Sequence, residues 1–275
     1  YADLISLLSK NDEDEKATLF TFPKNYDLVY TSPTMGFDNL WDLWLKGENT
    51  AVVGVRGSTN STLSWLCNFY AAMSPAKGVY TLSNGKIVNY KLSENSKAAI
   101  HSGWLIASLH LADDMVPKLN DIASDGITNI YLAGHSQGGA ISYLLLAHFL
   151  NLQKEGKLNA NIQFKTYASA APKPGNLFFA YEFESKTQNG SFFNVINALD
   201  WIPELSFTVQ TIDDLSNNNP LTTIDQKIKD LSFIKKFFIK HYVNRVVKPT
   251  NQSRDNLNDL FTNQVFKIIK KQLYK

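Results

Sequence analysis

The chain has 275 residues, 44% of them hydrophobic and 19% charged, which supplies a substantial core and excludes a disordered or low-complexity polypeptide. Its longest apolar stretch, Ala140 to Leu150, counts 11 residues, short of the roughly 20 a membrane-spanning helix needs, and its one cysteine, Cys67, makes neither an internal disulfide nor a Cys-rich zinc site. Net charge is only +2, but the last 49 residues, from Lys227, carry 12 Lys or Arg against 3 Asp or Glu; this basic end reads as the solvated face of terminal helices, or else as a contact surface for anionic lipid or nucleic acid.

Taken in order, Tyr1 to Phe20 reads as a helix with an acidic cluster at Asp12 to Glu15, and Leu28 to Ser32 as a short strand. Phe37 to Lys46 satisfies both the two-residue and the 3.6-residue period, so its type stays open. Ala51 to Val55 is an apolar run ended by Arg56-Gly57, the pattern of a strand buried on both faces. Val79 to Lys91 is β-rich and split by Asn84-Gly85, a hairpin turn signal. Ile100 to Leu119 is expected as a long amphipathic helix, Ile130 to Ala133 as a second buried strand, and Gln137 to Leu152 as a buried helix. Two more strands follow at Ile162 to Ser169 and Phe192 to Ala198, with a helix around Leu177 to Phe183 between them. The chain turns polar around Ser216 to Asn219 and ends in a basic helix from about Arg254 to Lys275. Strands alternating with helices predict an α/β fold, a mostly parallel central sheet with helices on both faces. No repeat or linker composition splits the chain, so residues 1–275 read as one domain.

Chemistry is concentrated in Tyr131-Leu-Ala-Gly-His-Ser-Gln-Gly-Gly-Ala140. It places Gly134-x-Ser136-x-Gly138 between a buried strand and a buried helix, the arrangement of a nucleophile elbow with Ser136 at the sharp turn. A serine hydroxyl becomes a nucleophile when an imidazole takes its proton and a carboxylate orients that imidazole. In the order Ser, acid, His, both His101 and His110 come too early, and His135 lies inside the elbow. His148 is 12 residues further along the same helix, about 18 Å away at 1.5 Å per residue. His241 remains. Asp200, after the apolar strand Phe193 to Leu199, is the expected acid; Asp213, Asp214 and Asp225 are rivals in a polar stretch, and Glu204 reads as a solvated rim residue. Two backbone N–H donors for an oxyanion are expected from Gln137 and from Ser58, in the loop Val55-Arg-Gly-Ser-Thr59, with the Ser58 hydroxyl as a further candidate donor from that loop.

Several segments together resemble the class 3 lipases, the fungal-type triacylglycerol lipase family: Val53-Gly-Val-Arg-Gly-Ser58, His101-Ser-Gly-Trp104, Gly134-His-Ser-Gln-Gly-Gly139, Ala170-Ala-Pro-Lys-Pro-Gly-Asn176 and Asp200-Trp-Ile-Pro203. The resemblance spans roughly residues 50 to 205. It implies an α/β-hydrolase fold, ester hydrolysis of acylglycerol-like lipids by a Ser-Asp-His triad and no cofactor, with Ser136, Asp200 and Ser58 at the nucleophile, acid and oxyanion positions and His101 in a structural role before a helix. It also implies a lid after the oxyanion loop. Thr59 to Met73 fits, with Leu66, Phe69, Tyr70 and Met73 at helical spacing and Leu63 and Trp65 beside them, in a cover at about residues 59–75; the same spacing also suits an ordinary helix that turns this face to the core.

Three features depart from the family pattern. Gln137 replaces the apolar residue common after the serine, Ser206 stands where a second proline often follows, and residues 206–275 match only by containing a histidine. The 79–91 hairpin reads as an insertion. The partners implied are a lipid or ester substrate and transient contact with a lipid surface. The scattered histidines form no metal motif, no nucleic-acid motif accompanies the basic end, and no transmembrane segment is legible. A chain opening at Tyr1 rather than methionine reads as trimmed or as processed by loss of a leader, the second of which would fit an exported protein, and localisation stays open. Two rival readings keep the same fold: a lipase-like binding or signalling protein without turnover, and an acyltransferase or esterase for small soluble esters.

Overall fold

The computed structural model describes residues 25–205. The expected terminal helices, His241, Asp213, Asp214 and Asp225 lie outside the described residues. Six strands form the central sheet in the order β1 (Asp27–Thr31), β2 (Trp41–Lys46), β3 (Thr50–Val55), β8 (Asn129–His135), β9 (Gln163–Ser169), β10 (Phe192–Val195). The β1/β2 and β2/β3 pairs are antiparallel, and β3/β8, β8/β9 and β9/β10 are parallel. Pairing settles the type of the Phe37–Lys46 segment. Trp41 to Lys46 is held between two neighbours, so its two-residue period wins and Trp41 and Leu43 turn to one face while Trp44 turns to the other.

The first face carries the main core. Trp41, Leu43, Val53, Val55, Ile130 and Leu132 meet helices α2 (Ser102–Ser124) and α3 (Gln137–Lys154), which supply Leu111, Met115 and Leu119 and Ile141, Leu145 and Phe149. Each such side chain, wholly removed from water, contributes about 1.5–3 kcal/mol. The second face holds a smaller cluster of Trp44, Val52 and Ala133, backed by Tyr26, Tyr131 and Tyr167. Asp114 of α2 pins the sheet edge by accepting from Trp41 Nε1 at 2.9 Å, Tyr30 Oη at 2.9 Å and Lys118 Nζ at 3.0 Å.

Two element boundaries differ from expectation for local reasons. Ile100 and His101 belong not to a helix but to β7 (Ala99–His101), which pairs with β4 (Met73–Pro75); α2 begins only at Ser102. The strand expected to run to Ala198 stops at Val195, leaving Ile196 58% and Leu199 70% exposed in the connection to Asp200. The expected hairpin is present as β5 (Lys77–Thr81) and β6 (Ile87–Lys91), with Gly85 at φ 82° in the turn. It is part of the core through Leu82, Tyr90 and Leu92.

Candidate active site

At Ser136 the sheet hands over to α3, and its backbone takes φ 54° and ψ −121°, in the positive-φ region that L residues avoid. Close approach of neighbouring backbone creates that turn. A Cβ on Gly134 would stand 2.2 Å from the Gly138 carbonyl oxygen, and one on Gly138 would stand 2.3 Å from that of Val55. No side chain fits at either position. The start of α3 therefore lies directly against the end of β3, and the Ser136 N–H is held by the Ser169 carbonyl at 2.9 Å. Helix geometry leaves the first N–H groups of α3, Gln137's among them, without intrahelical partners, and the Ser136 side chain makes no cap bond to them.

Ser58 lies three residues past the end of β3. Val55 pairs with Gly134, so the Ser58 loop leaves the sheet beside the elbow. Its two flanks are anchored to one residue: Arg56 Nη2 donates to the Asp38 carbonyl at 2.6 Å and forms an ion pair with its carboxylate at 3.3 Å, and Thr59 Oγ1 donates to Asp38 Oδ2 at 2.9 Å.

The segment expected as a cover is α1 (Thr62–Phe69), capped by the Ser61 side chain, which accepts from Ser64 N–H. Leu66, counted among the cover's apolar residues, is a core residue at 1% exposure with Cys67 beside it. The reason is the stripe Leu63, Leu66, Cys67, Tyr70, which recurs at the spacing of one helix face and packs on the main core. Trp65 and Phe69 are half-buried and stacked with centroids 5.7 Å apart. Met73 is outside the helix, in β4, paired with His101.

Asp200 follows β10 at the same sheet edge and is half-buried. Its carboxylate accepts from the Ile202 N–H at 3.0 Å, and its own N–H donates to the Asn197 carbonyl at 2.9 Å. Ile202–Glu204 form a short 3₁₀ turn, onto which Lys173 reaches by donating to the Glu204 carbonyl at 2.8 Å. Ser58, Ser136 and Asp200 all follow the C-terminal ends of parallel strands, where α/β sheets bind their ligands.

His101 caps α2. Its Nδ1 accepts from the Trp104 N–H at 3.4 Å, its Nε2 donates to the Asn68 carbonyl at 2.9 Å, and its ring stacks on Trp104 at 3.7 Å. Burial pushes its pKa down to about 3, the Asn68 carbonyl only partly opposing, so the imidazole stays neutral. His148 is likewise held low, to about 4, by burial inside α3. Both have structural surroundings.

The family model described as "Lipase (class 3)" matches residues 52–210, more than half of the chain. The chain belongs to the class 3 lipase family. Among solved structures it is similar to M37 lipase (20% identity, 88% of this chain and 79% of that chain covered, TM-score 0.58) and to a fungal lipase in complex with an inhibitor, described as a model for interfacial activation (20%, 74% and 72%, 0.54). A third is lipase II from Rhizopus niveus (21%, 74% and 69%, 0.51). At these identities the likeness establishes the α/β-hydrolase fold. No curated protein matches.

Placed in this class 3 lipase fold, the residues that sequence reading passed over are Asp38, Ser64 and Asn68. Each is an ordinary polar residue with a partner 10 to 73 positions away, and nothing in its local pattern marks that distant contact. Among the described residues no group of His, Cys, Asp and Glu is arranged to hold a metal ion, and no helix is long and apolar enough to cross a membrane. A cavity of about 290 Å³ lies between the hairpin and helices α2 and α3, lined by Ile87, Leu109, Val116 and His148; none of the site residues reaches it.

Proposed function

We propose that the chain is a serine carboxylester hydrolase for acylglycerol-like lipid esters, in which residues 1–275 act as one catalytic unit. Ser136 Oγ bonds to the ester carbonyl carbon while His241 takes the hydroxyl proton. The charge that develops on the carbonyl oxygen is met by the backbone N–H groups of Ser58 and Gln137. Collapse of the tetrahedral intermediate breaks the ester C–O bond, and His241 returns its proton to the departing alcohol. Water then attacks the acyl-enzyme, gives its proton to His241 and releases the carboxylic acid and free Ser136. Asp200 orients the imidazole and stabilises its charged form. The steps use side chains, backbone and water alone.

The observation that carries this reading is the backbone of Ser136: a non-glycine residue at φ 54° between a buried strand and a buried helix, flanked by positions where only glycine fits. Strain of this kind persists where the surrounding structure over-determines it, as it does at active sites. The test is labelling with a fluorophosphonate probe alongside an ester panel of rising chain length. Wild type should label at Ser136 and hydrolyse the esters, whereas Ser136→Ala and His241→Ala should lose turnover by several orders of magnitude and remain folded. Absence of labelling in a folded wild type would leave the chain a non-hydrolytic, lipase-like binding protein.

A further inference from the structure

Between the two expected oxyanion donors runs a continuous relay of side-chain amides, buried at Gln137 and half-buried at Asn68 and Ser58. Gln137 is 1% exposed. Its Nε2 donates to the Ser64 carbonyl at 3.0 Å and to Asn68 Oδ1 at 2.9 Å, and its Oε1 accepts from Ser64 Oγ at 3.3 Å. Asn68 Oδ1 also accepts from Trp104 Nε1 at 3.1 Å, and its Nδ2 donates to Ser58 Oγ at 2.8 Å.

The direction of every amide in this relay is forced. A backbone carbonyl only accepts, so the Gln137 nitrogen must face Ser64; an indole N–H only donates, so the Asn68 oxygen must face Trp104 and its nitrogen must face Ser58. Networks with all members satisfied in a buried site are rigid and admit one arrangement. This one starts on the side chain of the residue after Ser136 and ends on the hydroxyl of Ser58. An apolar residue at position 137 would fill space but make no such link.

We propose that the Gln137 side chain is a positioning group: acting through Asn68, it fixes the Ser58 loop at its working distance from the elbow, so that both N–H donors are in place before substrate arrives. The inference rests on the hydrolase reading above. The contribution is separate from that of the Gln137 backbone N–H, which any residue there supplies.

The test is Gln137→Met, close in volume and without hydrogen bonds, beside Asn68→Ala and the double variant, assayed on a dissolved short-chain ester and by the rate of fluorophosphonate labelling. Oxyanion contacts strengthen in the transition state, so kcat and labelling rate should fall together by about 10–100-fold with KM within twofold. Because both residues act on one relay, the double variant should lose little more than either single one. Ser58→Ala keeps its N–H but cuts the far end of the relay, and should show the same loss even if Gln137→Met does not fold. A kcat within twofold of wild type in folded Gln137→Met or in Ser58→Ala, or single losses that multiply in the double variant, would overturn the inference. Wild type that neither labels nor turns over would instead remove the hydrolase reading.

Discussion

Gly103 at the head of α2 packs against Cys67 in α1 so closely that a Cβ on Gly103 would stand 2.0 Å from the Cys67 carbonyl oxygen. The Gly103 N–H also donates to the Tyr70 carbonyl at 3.0 Å. The atom in the way is backbone and cannot rotate aside, so a methyl group must push the two helices apart. Gly103→Ala is therefore expected to destabilise the fold by about 3 kcal/mol, read from the midpoint of urea unfolding at constant slope. A change below about 0.5 kcal/mol, the size of an ordinary surface substitution, would mean that α1 does not sit on α2 at this distance.

The same contact shows where sequence reasoning reached and where it stopped. Ala51–Val55, Ile130–Ala133 and the helix from Gln137 are legible because burial on both faces demands uninterrupted apolar runs, and the elbow is legible because its serine and glycines are contiguous. His101-Ser-Gly-Trp104 was readable as a motif, but the physical demand behind its glycine lies in Cys67, 36 positions earlier. The side of α1 that faces the core was ambiguous for a related reason: Leu66, Phe69 and Tyr70 share a helical spacing with Leu63 and Cys67, and only the neighbour decides which stripe is buried. The Gln137–Asn68–Ser58 relay left no trace in the sequence, since amides carry no periodicity and pair over 69 and 10 positions.

Glu182 of α4 (Leu177–Thr187) provides a stability test in acid. Its carboxylate gathers the N–H groups of Glu94 and Asn95, the Ser93 hydroxyl and the Lys186 ammonium. Burial by itself raises its pKa, but these donors together outweigh it and hold the group down at about 2 against 4.5. A depressed native pKa means that the unfolded chain binds the proton more readily, so the stabilisation is present in full above about pH 5 and disappears as pH falls from there towards 2. Allowing for partial solvent access, it amounts to about 2 kcal/mol. Glu182→Gln should accordingly lower unfolding free energy at pH 6 and lie close to wild type at pH 2. An equal gap between the two proteins at both pH values would contradict the assignment.

For Asp200 the informative change is Asp200→Asn. Asparagine keeps an oxygen for the Ile202 N–H, so the turn and the fold should survive with unfolding within about 0.5 kcal/mol of wild type. What it removes is the negative charge, and its amide favours the wrong imidazole tautomer. Turnover should drop by on the order of a thousandfold or more. Near-normal turnover in a folded Asp200→Asn would move the acid to Asp213, Asp214 or Asp225.

The last prediction concerns whether α1 lifts at a lipid surface. Detaching it would expose Leu66 at roughly 1.5–3 kcal/mol and add Cys67, 0% exposed at present. It would also break the bonds from Gln137, Trp104 and His101 to Ser64 and Asn68, about 1 kcal/mol each net and more where the buried partner stays unsatisfied. A lipid surface offsets exposure of apolar side chains but offers nothing to Gln137 Nε2 or Trp104 Nε1, so the polar part of the cost stands. The helix is thus expected to stay in place, with only Trp65, which is outside the main core cluster while Phe69 packs against it, adjusting to substrate. The chain's one cysteine reports this directly: Cys67 is buried and its thiol pKa is pushed up by that burial, so alkylation should be slow and equally slow with and without a triglyceride emulsion. The rate on a short-chain ester should follow one smooth saturation curve through the solubility limit, and Trp65→Ala should affect dissolved and emulsified substrate alike. Rapid Cys67 alkylation on addition of emulsion, with a jump in rate at the solubility limit, would show that α1 is a mobile lid and that the relay to Ser58 is broken and remade during interfacial activation.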